Sequence, residues 1–359
     1  MHYQYIFGLL SAAAVKAAIV SLQKWSRENP SEPLCFVICS SGGDPFAGYA
    51  LIDFINTLRS SGHEVTTWGV GKLAGNALAV FAAGDRRVLA PHTFVQLSEG
   101  SPQGQVGGVS HLRATMAMAS GHSRHHGQLL VARGFPERLM QKNRCFTASE
   151  LVLEGFAHEV GDCLVTAGGA ETDQVRSLDL NLSLFEAVSE KETYQIYKAV
   201  LDACQSTAGA IKSVNLLIFS EGGDCGSAYA IFDLLQALSR LQVEVTTWGL
   251  GLVASAGLTV FQGGAKRVLG SNTWLMFHEV SNAGSFSSSE DLAEYSANME
   301  HHQALTMRIL AERSGHQKSQ LLALVENGRE NWLSAPQSLE LGFADALDSA
   351  VPVDFGQLP

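Results

Sequence analysis

The chain contains one pattern twice. Residues 40–98 align with 220–278 at a constant offset of 180 positions, without a gap. Ser40, Gly42, Gly43 and Asp44 recur as Ser220, Gly222, Gly223 and Asp224, and Tyr49, Ala50 and Asp53 as Tyr229, Ala230 and Asp233. Val65-Thr66-Thr67-Trp68-Gly69 returns unchanged as Val245-Thr246-Thr247-Trp248-Gly249, and Arg87-Val88-Leu89 as Arg267-Val268-Leu269. No other feature constrains the fold as strongly, since whatever one copy builds the other must build too.

Both copies read alike. A helix (12–27; 190–205) precedes a β-branched run (34–39; 214–219) that ends on a Ser-x-Gly-Gly turn. A helix, a second strand, a helix of small residues and a further strand follow. A long polar helix (111–133; 289–313) and a short closing helix complete each unit. Strands alternating with helices predict an α/β fold, a mostly parallel sheet covered by helices, made twice. Gly168-Gly169 and the polar stretch 171–174 interrupt the apolar periodicity, so the expected division is a domain over 1–165, a linker over 166–185 and a domain over 186–359.

Composition narrows the function. Of 359 residues 46% are hydrophobic and 16% charged, enough apolar surface for two packed cores and too much for intrinsic disorder. Lys and Arg total 24 against 35 Asp and Glu, a net charge of −11 with no basic cluster, which argues against a nucleic-acid partner. No run of about 18 apolar residues exists to span a membrane. The nearest, Gly8 to Leu22, carries Lys16 and lacks a basic lead-in, so it reads as an amphipathic helix and not as a signal peptide. The six cysteines form no CxxC pair and no metal spacing, and are expected to be reduced, buried thiols of a cytoplasmic protein.

The reactive residues sit in the second copy. Ser255, in Gly251-Leu-Val-Ala-Ser255-Ala256-Gly257, follows a strand and opens a helix, where unpaired N–H groups favour developing negative charge. The turn Ser220-Glu221-Gly222-Gly223 ends another strand, and the N–H of Gly222 or Gly223 can approach an oxyanion together with that of Ala256. His278 ends a third strand, where it can serve the serine as base. Taken singly these are an N-cap, a turn and a surface histidine. Together, each at a strand terminus, they form a constellation. Subtracting 180 turns Ser255 into Gly75 and His278 into Ser98, so the first copy keeps its turns and loses its reactive groups.

Phe219-Ser220-Glu-Gly222-Gly223, Gly251-Leu-Val-Ala-Ser255-Ala-Gly257, Asn272-Thr-Trp-Leu-Met-Phe-His278 and Trp332-Leu-Ser334-Ala335 with Gly342-Phe-Ala-Asp345 resemble the proteolytic subunit of the Clp protease. The resemblance implies two tandem crotonase-like units with protruding handle helices, a ring-forming oligomer, and a serine endopeptidase acting on peptides or unfolded protein. It makes Ser255 the nucleophile, His278 the base, and Gly222 with Ala256 the oxyanion hole. The family's aspartate position, just before the aromatic-Leu-Ser-Ala segment, holds Glu330, whose first-copy counterpart is Asn143. Family members begin with a segment that lines an axial pore and meets a ring ATPase. Here Met1 directly precedes the first strand, which argues against an AAA+ unfoldase partner. Segments 104–108 and 283–289 fit the flexible strands that precede handles.

Two rival readings stand beside this one. A signal-peptide-peptidase-like enzyme would pair Ser255 with Lys72 of the first copy, and a non-catalytic ring component would use neither. The histidine-rich stretches at 122–126 and 301–302 lack cysteine or carboxylate at ligand spacing, and no metal or organic cofactor is expected.

Overall fold

A computed structural model of the protein describes residues 1–97, 109–140, 144–164, 178–205, 211–281, 289–326 and 329–348. The chain forms two compact units, Met1–Cys163 and Leu164–Pro359. The first contains β1 (His2–Phe7), α1 (Ala12–Glu28), β2 (Leu34–Ser40), α2 (Pro45–Ser60), β3 (Val65–Ala74), α3 (Asn76–Ala82), β4 (Arg86–Leu89), β5 (Phe94–Gln96), α4 (Val109–Ala132), β6 (Cys145–Thr147), α5 (Ala148–Leu153) and β7 (Glu159–Val160). The second repeats the order as β8 (Leu178–Leu184), α6 (Glu190–Gln205), β9 (Ile211–Ser220), α7 (Cys225–Arg240), β10 (Glu244–Ala254), α8 (Ala256–Phe261), β11 (Lys266–Leu269), β12 (Trp274–Phe277), α9 (Ser289–Ser314), α10 (Lys318–Val325), β13 (Asn331–Ser334), α11 (Ala335–Glu340) and β14 (Ala346–Leu347).

Each unit carries a seven-stranded sheet, parallel except for one antiparallel pair, β5 with β6 and β12 with β13. The central strand divides its pairing between two neighbours. Thr246–Gly249 of β10 pair with β11, and Leu252–Ala254 pair with β12. Between these stretches lies Gly251 at φ 64°, matched by Gly71 at φ 61° in β3. Only glycine takes that backbone at little cost, and the kink lets one strand serve two partners.

The repeated Thr-Thr-Trp has a packing reason. Trp68 and Trp248 are buried, as are the second threonines, which therefore need hydrogen-bond partners. Thr67 Oγ1 donates to the Phe81 carbonyl, and Thr247 Oγ1 to that of Phe261, both at 2.7 Å. These bonds tie the central strand to the end of the small-residue helix. Asp44 and Asp224 cap the next helices, accepting from Phe46 N–H at 2.9 Å and Ser227 N–H at 2.7 Å. The repeated Gly-Gly-Asp thus ends a strand and starts a helix within three residues.

One expected boundary is corrected. The segment 166–185 contains β8, which pairs in parallel with β9 from Leu178↔Ile211 to Leu184↔Ile218. Leu178, Leu180, Leu182 and Leu184 alternate with polar residues, the period of a half-buried strand, so this stretch is the second unit's counterpart of β1. Gly168, Gly169 and 171–174 lie outside the described residues. The long helices α4 and α9 occur where the polar helical runs predict them. The carboxyl-terminal half of α9 is embedded through Leu305, Met307, Ile309 and Leu310, whereas Leu292 near its start is exposed. Segments 104–108 and 283–288 are outside the described residues. Among the described residues no helix is long and apolar enough to cross a membrane, and no cluster of His, Cys, Asp or Glu is arranged for a metal. None of the six cysteines, all among the described residues, is in a disulfide; four are buried, and Cys145 and Cys225 are half-buried.

Candidate active site

Three strand ends of the second unit bring the predicted residues together. Ser255 links β10 to α8 at φ 51° and ψ −121°, a conformation that L-residues with a side chain avoid. Its N–H donates to the Met276 carbonyl at 2.8 Å, which fastens the turn to β12. His278 leaves that strand two residues later, and its Nε2 lies 2.9 Å from Ser255 Oγ. A strained turn therefore holds a hydroxyl against an imidazole, at the carboxyl edge of a parallel sheet.

Gly222 packs on the serine. A Cβ added there would lie 2.7 Å from Ser255 Cβ and 3.2 Å from Oγ, so a side chain at 222 would occupy the reacting centre. The amide of Gly222, however, donates to Ser220 Oγ at 3.2 Å, as that of Gly42 does to Ser40 Oγ at 3.1 Å. The Gly222 amide, expected as an oxyanion donor, thus has an acceptor within its own turn. Gly223 is exposed and forms a parallel bridge with Val188. The groups flanking it bond that residue: Val188 N–H donates to the Gly222 carbonyl at 2.7 Å, and Asp224 N–H to the Val188 carbonyl at 2.8 Å. The N–H of Gly223 therefore turns away from Val188, and it has no acceptor among the described residues. Ala256, first residue of α8, likewise has a first-turn N–H with no intrahelical partner.

Glu330 is near His278 by backbone but not by side chain. β12 and β13 pair antiparallel from Trp274↔Ser334 to Phe277↔Asn331, and one further step of that register sets His278 opposite Glu330. Facing residues in such a pair have Cβ atoms roughly 5 Å apart. Yet the Glu330 carboxylate is exposed and accepts from Trp332 Nε1 at 3.0 Å. The structure does not join it to the imidazole. The indole two residues along the same strand face competes for the same oxygen.

A cleft of about 300 Å³, its open mouth included, adjoins the pair and is lined by Ser255, His278, Cys225, Thr306, Met307 and Leu310 among others. α7 supplies Cys225 and α9 supplies the last three. The walls are mainly apolar.

The first unit keeps the turn with glycine in place of the serine. Gly75 adopts φ 51° and ψ −139°, the conformation that strains Ser255. Ser98 and Asn143 lie outside the described residues. Two substitutions not singled out from the sequence also differ at this place. Asn76 stands where the second unit has Ala256, and His126 where it has Thr306. Asn76 Nδ2 donates to the Asp44 carbonyl at 2.7 Å, and His126 Nε2 donates to that of Gly75 at 3.0 Å. A Cβ on Gly48 would lie 2.5 Å from Asn76 Nδ2, whereas position 228 is alanine. Comparing the copies at these offsets would have exposed both exchanges, since asparagine and histidine stand in one copy where alanine and threonine stand in the other.

A serine and histidine paired at a strained strand-to-helix turn of an α/β fold are the arrangement expected of a serine hydrolase. The sequence model of the Clp protease family matches residues 10–163 and again 174–349, and the chain belongs to that family. It is 32% identical over 136 residues to the ATP-dependent Clp protease proteolytic subunit 2 of Rhodococcus jostii, covering 37% of this chain and 67% of that one. It is 31% identical over 150 residues to the ATP-dependent Clp protease proteolytic subunit of Streptococcus pneumoniae, covering 41% of this chain and 72% of that one. A solved structure, a ClpP1 mutant from Listeria monocytogenes, aligns at 20% identity with a TM-score of 0.40, over 47% of this chain and 91% of that one.

Proposed function

We propose that the second unit is a Clp-type serine peptidase and the first an inactive scaffold. The observation that carries this is the 2.9 Å contact between Ser255 Oγ and His278 Nε2 on the strained turn. His278 removes the hydroxyl proton as Ser255 attacks a peptide carbonyl, then returns it to the leaving amine. Water, deprotonated by the same imidazole, hydrolyses the acyl-enzyme. The developing oxyanion is received by the amides of Gly223 and Ala256, in place of Gly222 and Ala256. One donor of this kind is typically worth about 10²–10³ in kcat. Glu330 is the orienting carboxylate, and it reaches the imidazole by exchanging the Trp332 indole for His278 Nδ1–H. Assembly with further copies into a ring is part of this reading, and relatives named ATP-dependent proteolytic subunits leave room for an ATP-driven partner despite the sequence argument against one.

The test is reaction with a fluorophosphonate, located by peptide mass mapping, beside turnover of a peptide ester. Adduct at Ser255, and loss of both activities in Ser255→Ala, are expected. Equal turnover by Ser255→Ala removes the proposal. The Glu330–Trp332 bond favours a second reading, a site that is latent until an assembly partner turns the carboxylate. In that case labelling depends on protein concentration or on the added partner. Pairing of Ser255 with Lys72 predicts instead that Lys72→Ala is inactive.

A further inference from the structure

The wall of the cleft is held by a contact that takes no part in the chemistry described above. Tyr229 on α7 is fully buried, and its hydroxyl donates to the His302 carbonyl of α9 at 3.1 Å. The same oxygen lies 2.8 Å from Thr306 Oγ1. A phenol has one proton. With that proton given to the carbonyl, the threonine hydroxyl donates to the phenol oxygen, and the rotamer of Thr306 is set by Tyr229. The Tyr229 ring stacks on His302 at 5.9 Å and sits in a small apolar cluster with Phe232, Leu305 and Ile309. Thr306, Met307 and Leu310, which follow on the same helix, face the cleft.

We infer that Tyr229 is a positioning residue, clamping α9 to α7 so that Thr306 and the residues after it form a fixed apolar wall for the substrate side chain next to the scissile bond. The inference rests on Ser255 being the nucleophile beside that wall. The first unit supplies an internal comparison. Tyr49 is the repeat of Tyr229, but its hydroxyl reaches the His122 carbonyl only at 3.4 Å, and it is half-buried. Its threonine partner is replaced by His126, which bonds the Gly75 carbonyl instead. The clamp to His302 and Thr306, which Cys225 of the same helix also meets at the phenol, thus occurs in the unit that has the serine and histidine, and is weakened in the one without them. The wall it holds suits an uncharged apolar side chain, because among the described residues no Asp, Glu, Lys or Arg lines the cleft beside Thr306, Met307 and Leu310.

Tyr229→Phe removes the hydroxyl and keeps the ring. KM for peptide esters with an apolar residue before the scissile bond should rise about tenfold, the effect of losing roughly one buried hydrogen bond, with kcat changed less than about threefold. The rate of Ser255 labelling by a small fluorophosphonate, which does not need the wall, should be unchanged. Thr306→Val should raise KM on its own. Combined with Tyr229→Phe it should cost less than the two singles together, because each then leaves no orphaned partner. Hydrogen exchange over residues 300–312 should quicken in Tyr229→Phe. Unchanged KM with unchanged exchange, or additive effects in the double variant, overturns the clamp. If Ser255 is not labelled in the unaltered protein, the active-site reading fails, while exchange over 300–312 still decides the clamp.

Discussion

The backbone at Ser255 can be tested apart from its hydroxyl. Replacing Ser255 with alanine or with glycine removes the same oxygen and the same 2.9 Å contact with His278, a loss of about 1 kcal/mol in either case. Alanine must still adopt φ 51° and ψ −121°. A side-chain-bearing residue held in such a region is strained by about 1–3 kcal/mol. Glycine releases that strain, and its greater freedom in the unfolded chain costs about 0.5–1 kcal/mol. At the middle of these ranges Ser255→Gly should therefore be more stable than Ser255→Ala by about 1 kcal/mol, which inverts the usual order of these two residues. Two units on one chain need not unfold in a single step, so the measurement should read the second unit alone. Hydrogen exchange at increasing urea, followed in peptides from β10 and β12, does this. Exchange through opening should be about fivefold slower in the glycine variant. Alanine equal to or more stable than glycine would refute strain at the turn, and with it the reason for Gly75 in the first unit.

Further outcomes follow from the same geometry. Glu330→Ala should lower kcat on a peptide ester by about 10²–10⁴ with little change in KM, as loss of an orienting carboxylate does elsewhere; undiminished kcat would leave a serine–histidine pair working alone. Gly222→Ala puts a Cβ 2.7 Å from Ser255 Cβ at φ 115°, and should cost about 2–4 kcal/mol in the second unit as well as fluorophosphonate labelling. Wild-type stability and labelling in that variant would contradict the close approach. Burial holds the His126 imidazole below its usual value of 6.5, with His125 adding to the effect, against the Gly75 carbonyl, which favours the charged form. The unfolded chain then binds more protons just below that value, so this contribution to stability is complete above pH 6.5 and is lost as the pH falls. His2 and His158, also held low chiefly by burial, act in the same direction in the same unit. Urea midpoints of the first unit should fall between pH 7.5 and 5.5, less so in His126→Gln; an identical slope in that variant would exclude His126 as a source.

Much of the fold is legible in the sequence because the repeat doubles every local pattern. Thr67 and Thr247, or Asp44 and Asp224, can be assigned a common role before any coordinates are seen. β8 is not legible in the same way. Its leucines alternate with Asp179, Asn181 and Ser183 as a half-buried strand's do, but the Gly-Gly and polar stretch just before them reads as a linker, and pairing with β9 is what assigns the run to the second unit. At the site, residue types and strand ends predict Ser255 beside His278. They do not tell which of two adjacent glycines has a free amide, since that depends on Ser220 Oγ capturing the N–H of Gly222. Nor do they place the Glu330 carboxylate, whose partner is chosen between an indole on its own strand and an imidazole on the next. The clamp at Tyr229 is hidden for another reason. It joins residues 73 and 77 positions apart, and a tyrosine at helical spacing reads as ordinary core.

The contact between Asn76 and Gly48 bears on how the two halves can diverge. Placing alanine at 48 alone would drive its Cβ to 2.5 Å from Asn76 Nδ2, and exchanging Asn76 for alanine alone would empty the space that glycine leaves and remove one of two donors to the Asp44 carbonyl, leaving the Gly48 N–H at 3.1 Å. Each single step toward the second unit's arrangement carries its own packing penalty, so the two positions have to change together. The pair works as a latch, and the first unit's turn is held in its present form by packing at 48 and 76 as well as by the glycine at 75.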